Sequence, residues 1–225
     1  MAGSISPCAL DTVPVSVREA VKASRVWKLA FQAREANDGL HRFNTAHVGR
    51  PPLAVAAAGV DSSAYDLPVN TREMRPNELD ATVSVWRDAN IARGAPHGPE
   101  RTARIRAKLL VSDALPFVAL RPEIVGMALA EPGRFDGGAG DLDPSLLHIS
   151  MVFVHPAAQR TGVGLPLLRH VLDVADSLGY QRAGVWTAEE NTPARRLYER
   201  AGMALSGKSA RVLSQTHLQY EFPLQ

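Results

Sequence analysis

The sequence is poor in cysteine, in long apolar runs and in excess charge of either sign. Its 225 residues include one cysteine, so no disulfide can form within the chain. No stretch approaches the roughly 18 consecutive apolar residues that cross a bilayer, and the first ten residues lack a basic flank followed by an apolar core. With 25 Lys and Arg against 23 Asp and Glu, the net charge of +2 gives no basic excess for binding a phosphate backbone. We therefore expect a cytoplasmic protein that binds neither nucleic acid nor membranes.

The length of the chain and the composition of one segment indicate a boundary near residue 68. With 225 residues and 45% apolar composition, the chain is longer than a common single domain and ordinary for a globular protein. Between Gly49 and Pro68 it is rich in small residues and proline and lacks a steady period of 2 or 3.6, which is typical of a linker. We predict an N-terminal extension at 1–68 and a folded domain at 69–225. Within the extension, the segment 16–37 is either disordered and loosely attached or forms a helix that docks on the domain.

Beyond Pro68, strand and helix periodicities alternate regularly. The patterns predict strands at 69–74, 117–120, 124–130, 148–154, 183–187 and 216–222, and helices at 77–93, 100–110, 162–178 and 193–201. A loop rich in Gly and Asp at 132–144 separates the third strand from the fourth. The order β-α-α-β-β-β-α-β-α-β predicts one mixed α/β sheet with helices on both faces.

A turn containing two glycines connects the strand at 148–154 to the next helix. Its sequence is QRTGVG, from Gln159 to Gly164, and amides at a helix start have no intrahelical partners. Such amides, with glycines that allow close approach, bind phosphate or diphosphate groups. A nucleoside-triphosphate loop is excluded because the segment has no Lys, and a dinucleotide fingerprint is incomplete because Leu167 stands at its third glycine position. A turn that serves only packing remains the alternative.

This turn and a second segment resemble the GNAT superfamily, the acyl-CoA-dependent N-acetyltransferases. QRTGVG fits the family signature Q/R-x-x-G-x-G/A and follows a strand that ends in V-x-P at Val154. Downstream, the segment 191–203 is similar to the family pattern N-x-x-A-x-x-L-Y-x-x-x-G-F/M. The resemblance covers 69–222 and leaves 1–68 unmatched. It implies a mixed, mostly antiparallel sheet with a splayed central parallel strand pair and helices on both faces.

The resemblance implies acetyl-CoA as the co-substrate and assigns residues to it. In the family, the strand before the turn pairs with the pantetheine arm, a role that falls here on Val152, Phe153 and Val154. The turn would bind the diphosphate through Gln159, Arg160, Thr161, Gly162, Val163 and Gly164. Asn191 would reach the pantetheine. No metal is expected, since the seven scattered His residues show no HxxxH spacing and one cysteine cannot form a CxxC.

The resemblance also implies an acid and a base. In many members the tyrosine seven residues after the asparagine protonates the departing thiolate, and here it is Tyr198, although Tyr198 also lies on an apolar helix face typical of core. Some members carry a base eleven residues before the glutamine, and this position is His148, whose ordinary pKa of about 6.5 suits the role. A water acting as base, and His148 as a simple strand residue, stay open. Some members carry a Glu as the base five residues before the asparagine, and at that position this chain has Trp186.

The implied function is acetyl transfer to a primary amine by direct attack in a ternary complex. Cys8 lies in the unmatched extension, which disfavours a covalent acyl-cysteine intermediate. The acceptor is open among small-molecule amines, peptide N-termini and lysines, and a loop with Asp136, Asp141 and Asp143 is a candidate for attracting a cationic one. The alternative is a non-catalytic module that binds acyl-CoA as a sensor or scaffold. A homodimer is left open.

Overall fold

The computed structural model describes residues 67–135, 140–212 and 214–225. The predicted helix at 16–37, the linker before Pro68 and Asp136 lie outside these residues, so the division of the chain near residue 68 stays a prediction. In the described ranges, no helix is both long enough and apolar enough to span a bilayer.

Seven strands and four helices make up the regular structure of the described residues. The strands are β1 (Asn70–Glu73), β2 (Leu115–Arg121), β3 (Glu123–Arg134), β4 (Leu142–Val154), β5 (Arg182–Ala188), β6 (Ala204–Val212) and β7 (Gln215–Pro223). The helices are α1 (Leu79–Ala92), α2 (Pro99–Leu109), α3 (Gly164–Ser177) and α4 (Thr192–Arg200). Short 3-10 turns at Pro76–Glu78 and Pro156–Ala158 precede α1 and follow β4.

The strands form one mixed sheet in the order β1-β2-β3-β4-β5-β7-β6. Neighbouring strands are antiparallel except β4 and β5, which run parallel from Leu146↔Arg182 to Ile149↔Val185. A parallel neighbour needs a crossover connection, and α3 provides it. The predicted fold class, a mostly antiparallel sheet with a central parallel pair, is confirmed.

Helices from different parts of the chain bury the two faces of the sheet. One face packs against α3 and α4 through an apolar cluster that includes Phe117, Ile149 and Val185. The opposite face packs against α1 and α2, where Trp86 and Leu129 belong to a second, smaller cluster. Each fully buried Leu or Val side chain in these layers stabilises the fold by about 1.5–3 kcal/mol. The prediction of helices on both faces is also confirmed.

β6 is the strand that the sequence pattern missed. Its sequence ALSGKSARV forms an edge of the sheet, and none of its residues is buried. A strand without a buried face shows no alternation of apolar and polar residues, so it carries no periodic signal. The predicted loop at 132–144 is also too long, because β3 extends to Arg134 and β4 begins at Leu142. Cross-strand pairing continues the hairpin into a segment whose composition is typical of a loop.

Candidate active site

β4 and β5 separate near the middle of β4. Their parallel pairing ends at Ile149↔Val185, although β4 continues to Val154. Over this last part β4 pairs with β3 alone, so its other edge carries unpaired backbone groups. An open strand edge of this kind can pair with an extended ligand in place of a strand. Val152, Phe153 and Val154, the residues predicted to pair with pantetheine, all belong to this last part of β4.

A bulge in β4 accompanies the separation. Ala130 of β3 faces Ile149, whereas Leu129 faces Met151, so Ser150 is left as an extra residue in β4. A bulge bends the strand that carries it and increases its local twist. The bulge therefore gives β4 a new direction beyond Ile149, which is a physical reason for its departure from β5.

The turn between β4 and α3 presents a row of unused amides. The N–H groups of Arg160, Thr161, Gly162 and Val163 donate to no group in the described part of the chain, and α3 begins at Gly164. Arg160 and Gly162 have φ angles of 64° and 88°, in the left-handed region. Left-handed residues in such a turn direct successive amides toward one side and form a concavity that binds anions. This geometry fits the diphosphate site that the sequence predicts here.

The remaining residues of the turn have contacts of their own. Gln159 donates its N–H to Pro156 O at 3.3 Å and its side-chain Nε2 to the last carbonyl of β4 at 3.1 Å, which ties the turn to the strand. A Cβ at Gly164 would lie 3.3 Å from the side chain of Leu197, so this glycine lets α3 approach α4. A Cβ at Gly162 would meet nothing within 4 Å, and its φ angle is what favours glycine. The two glycines of the signature therefore have different purposes.

Asn191 directly precedes α4 and caps it. Its Oδ1 accepts a hydrogen bond from Ala194 N at 3.4 Å, and Pro193 lies in the first turn, where a proline is tolerated. The Nδ2 amide of Asn191 donates to no residue in the described ranges. The side chain thus keeps a donor for the predicted contact with pantetheine while its oxygen stabilises the helix.

Tyr198 lies on the buried side of α4 and is 5% exposed. Its ring centroid is 5.7 Å from that of Tyr220. The Tyr220 hydroxyl accepts a hydrogen bond from Arg195 and donates one to Glu199, whereas the Tyr198 hydroxyl has no partner among the described residues. Burial raises the pKa of Tyr198 to about 12, so this phenol keeps its proton at neutral pH. Tyr198 therefore has the form that a general acid requires, and its burial equally fits the core role.

His148 lies on β4 between Glu131 of β3 and Gly184 of β5, one residue before the pairing with β5 ends. Burial lowers the pKa of His148 from its ordinary value of 6.5, while the charge of Glu131 raises it and that of Lys108 lowers it. Glu131 and Lys108 form an ion pair with each other at 2.8 Å. His148 is therefore neutral at pH 7, the form that accepts a proton.

A cavity of about 560 Å³ lies beside His148. Strands β3 to β7 all contribute to its wall, and the lining includes Arg182, Trp186, Lys208, His217 and Gln219. Cavities of this size commonly hold small molecules or the end of a chain. The aromatic ring of Trp186, which replaces the carboxylate of other family members, thus forms part of the wall.

Sequence reasoning did not find most of this lining. Lys208 belongs to β6, which showed no periodic signal. His217 and Gln219 belong to β7, which pairs with β5, a strand that is distant from it in the sequence. The Nδ1 atom of His217 is buried and has no hydrogen-bond partner in the described part of the protein. Two residues of this wall stood out in the sequence: His148 as a candidate base, and Trp186 through its departure from the family pattern.

The acidic loop does not present Asp143 to an acceptor. Asp143 is 2% exposed, accepts hydrogen bonds from the backbone N–H and hydroxyl of Ser145 at 2.9 and 2.6 Å, and forms an ion pair with Arg182. Arg182 also pairs with Glu221 at 3.0 Å. The expectation that Asp143 attracts a cationic amine is therefore wrong, because its charge is used to join the parallel strands β4 and β5.

Several solved structures with this fold are acetyltransferases. The GCN5-related N-acetyltransferase from Kribbella flavida superposes with a TM-score of 0.57 at 20% identity, over 69% of this chain and 98% of its own. The ribosomal-protein-S18-alanine N-acetyltransferase from Escherichia coli gives 0.55 at 18% identity, over 70% and 95%. The yncA protein from Salmonella typhimurium, solved with its cofactor acetyl-CoA, gives 0.55 at 19% identity, over 70% and 94%. These similarities show that the fold is that of an N-acetyltransferase.

The family follows from the sequence itself. Residues 82–203, more than half of the chain, match the model of the acetyltransferase (GNAT) family. The chain belongs to this family, and the protein is an acyltransferase. No curated protein matches the sequence at a significant level. Within the described ranges, no group of three or more His, Cys, Asp or Glu is arranged to hold a metal ion.

Proposed function

We propose that the protein transfers an acetyl group from acetyl-CoA to a primary amine by direct attack within a ternary complex. The observation that carries this proposal is the separation of β4 from β5, where an open strand edge leads into the unused amides of 160–163. The edge can pair with an extended chain of amides, and the turn can bind phosphates. A pantetheine arm joined to a diphosphate has both chemical features in that order.

Different residues would bind different parts of acetyl-CoA, the acetyl donor. Val152, Phe153 and Val154 would pair with the pantetheine arm through the open edge of β4, and Asn191 would donate to it through Nδ2. The amides of 160–163 would hold the diphosphate. Acetyl-CoA supplies the acetyl thioester, which is the group that an amine attacks.

His148 and Tyr198 have complementary protonation states for this reaction. Neutral His148 would accept the proton that the attacking amine loses, either directly or through one water. As the C–N bond forms and the C–S bond breaks, Tyr198 would donate its proton to the departing sulfur. One proton is taken up and one is given, and exchange with solvent restores both side chains.

The cavity beside His148 is the proposed acceptor site. Its volume of about 560 Å³ fits a small-molecule amine or the end of a peptide. The structurally similar Escherichia coli enzyme is named for an alanine of ribosomal protein S18. Peptide N-termini and lysines therefore belong in the proposed range of acceptors together with small-molecule amines. A cytoplasmic location and a homodimer stay predictions.

A second candidate function is a non-catalytic sensor or scaffold that binds acyl-CoA. It is favoured by Trp186, which stands in the cavity wall where other members of the family carry a carboxylate. The two functions differ in turnover, which thiol release from acetyl-CoA measures.

The test combines calorimetry of acetyl-CoA binding with thiol release in the presence of small amines, short peptides with free N-termini and lysine-containing peptides. Binding with amine-dependent thiol release is the result expected of the enzyme. Binding without thiol release for any amine would instead support the sensor. Absence of binding would overturn both.

A further inference from the structure

Arg121, the last residue of β2, reaches the diphosphate turn from outside the family's sequence signatures. Its Nη1 donates to the backbone carbonyl of Thr161 at 2.9 Å and to the Thr161 hydroxyl at 3.1 Å. The Thr161 hydroxyl in turn donates to Ala158 O at 2.8 Å. The contact is brought about by the sheet, because β3 joins the end of β2 to the strand that leads into the turn.

The bond to the Thr161 carbonyl has a consequence for the next amide. The carbonyl of Thr161 and the N–H of Gly162 belong to the same planar, trans peptide group, so they point in opposite directions. When Arg121 holds the carbonyl on one side, the Gly162 N–H must face the other side. This amide is one of the four that donate to no described residue, so its direction decides whether the anion site is complete.

Among the described residues, the positive charge of the Arg121 guanidinium is not neutralised by a carboxylate, and one of its donors makes no hydrogen bond. Arg121 forms no ion pair with a carboxylate in the described part of the chain, and its Nε is buried without a hydrogen-bond partner. A buried donor without a hydrogen-bond partner destabilises the protein unless a partner arrives. A positive charge next to the turn also attracts a diphosphate before any contact is made.

We propose that Arg121 is a positioning residue for the diphosphate of acyl-CoA. It holds the Thr161–Gly162 peptide so that the Gly162 amide joins the anion site, and it places an unneutralised positive charge behind that site. This inference rests on the proposed function, since it requires that the turn bind acyl-CoA. It adds a residue of the β2–β3 hairpin to a site that the sequence signature confines to 159–164.

The experiment compares two ligands by calorimetry, where no reaction takes place. CoA carries the diphosphate, and pantetheine carries the same arm without it. Arg121→Gln should weaken CoA binding about tenfold, the effect of losing a charged hydrogen bond, and should leave pantetheine binding unchanged. Both bonds to Thr161 come from Nη1 alone, so Arg121→Lys, which keeps a charge and a donor, should restore at least part of the loss.

A matched control separates positioning from general destabilisation. Arg72 is another half-buried arginine; it lies on β1, is held by Glu78 through two hydrogen bonds, and has no place in the proposed site. Arg72→Gln should lower Tm without changing the ratio of the two dissociation constants.

Two results would overturn the inference alone: unchanged CoA affinity in Arg121→Gln, or equal weakening of CoA and pantetheine. Failure of the parent protein to bind CoA would overturn the proposed function and this inference with it.

Discussion

The two sides of the proposed reaction site are built in different ways. The donor side consists of backbone groups from the end of β4 and from 160–163, which are close together in the chain. The acceptor side is a cavity whose side chains come from five strands, among them His148, Trp186 and His217. The first depends on local backbone conformation, and the second on the order of strands in the sheet.

This difference predicts separable effects of substitution. Backbone amides are common to almost all residue types, so the donor side depends mainly on the φ angles of the turn. In the proposed acceptor site, the cavity wall would recognise an amine through particular side chains. Changes in the turn should therefore alter the affinity for CoA, whereas changes at His148 and Tyr198, the proposed base and acid, should alter turnover.

Tyr198→Phe should have the largest effect, because the hydroxyl would act on the bond that breaks. The variant keeps the ring against Tyr220, and we expect kcat for thiol release to fall by about 10²-fold or more, with Tm and CoA affinity unchanged. Since the pKa of Tyr198 is raised to about 12, the parent should show no alkaline decline from this group up to about pH 10.

Tyr220→Phe is the matched control for Tyr198→Phe. It removes the neighbouring phenol hydroxyl, which bonds Arg195 and Glu199, and should lower Tm while kcat stays within a few-fold. If Tyr198→Phe were as active as the parent, Tyr198 would be a core residue only.

His148→Gln should have the next largest effect, a loss of about 10- to 100-fold in kcat/KM at neutral pH, because a general base is removed but water can partly replace it. Burial lowers the pKa of His148, so the neutral base predominates above pH 6.5 and is lost as pH falls through the lowered pKa. Below the lowered pKa of His148, log kcat/KM should rise by about one unit for each pH unit, and above it the rise from this group should stop. The plot should therefore bend at a pH below 6.5. This bend should be absent in His148→Gln.

His170→Gln provides the control for a half-buried histidine elsewhere. His170 lies on α3 with its ring 5.6 Å from that of Phe117, and its replacement should leave the bend in place. Persistence of the bend in His148→Gln would assign the base to another group.

Gly162→Ala should have the smallest effect of the three, confined to the donor side. A Cβ at a φ of 88° strains the turn by about 1–2 kcal/mol, and we expect CoA to bind about three- to tenfold more weakly by calorimetry. Gly179→Ala is a close match, since Gly179 has a φ of 78° and equally open space but lies at the other end of α3. Both variants should lose similar Tm, and equal CoA affinity in the two would count against the diphosphate site.

Most of the fold could be predicted because its elements carry a buried face. β4 and α3 were found from their apolar patterns; α3 lies close to its predicted range, and β4 ends at Val154 as predicted. β6 was missed because an exposed edge strand has no such pattern. The lengths of β3 and β4 were underestimated because pairing, not composition, extends β3 to Arg134 and begins β4 at Leu142. Cooperative backbone pairing is a property of two strands together, so neither sequence segment shows it alone.

The sequence by itself determined the class of the protein, and it predicted the donor site. QRTGVG and Asn191 exert their effects within one turn and one helix start, and local backbone conformation follows from neighbouring residues. The tertiary structure alone decided that β4 leaves β5 at Ser150, that Asp143 is buried against Arg182, and that β6 and β7 complete the cavity beside His148. The reason is physical: local backbone geometry depends on residues a few positions apart, whereas a cavity wall depends on which distant strands the sheet brings together.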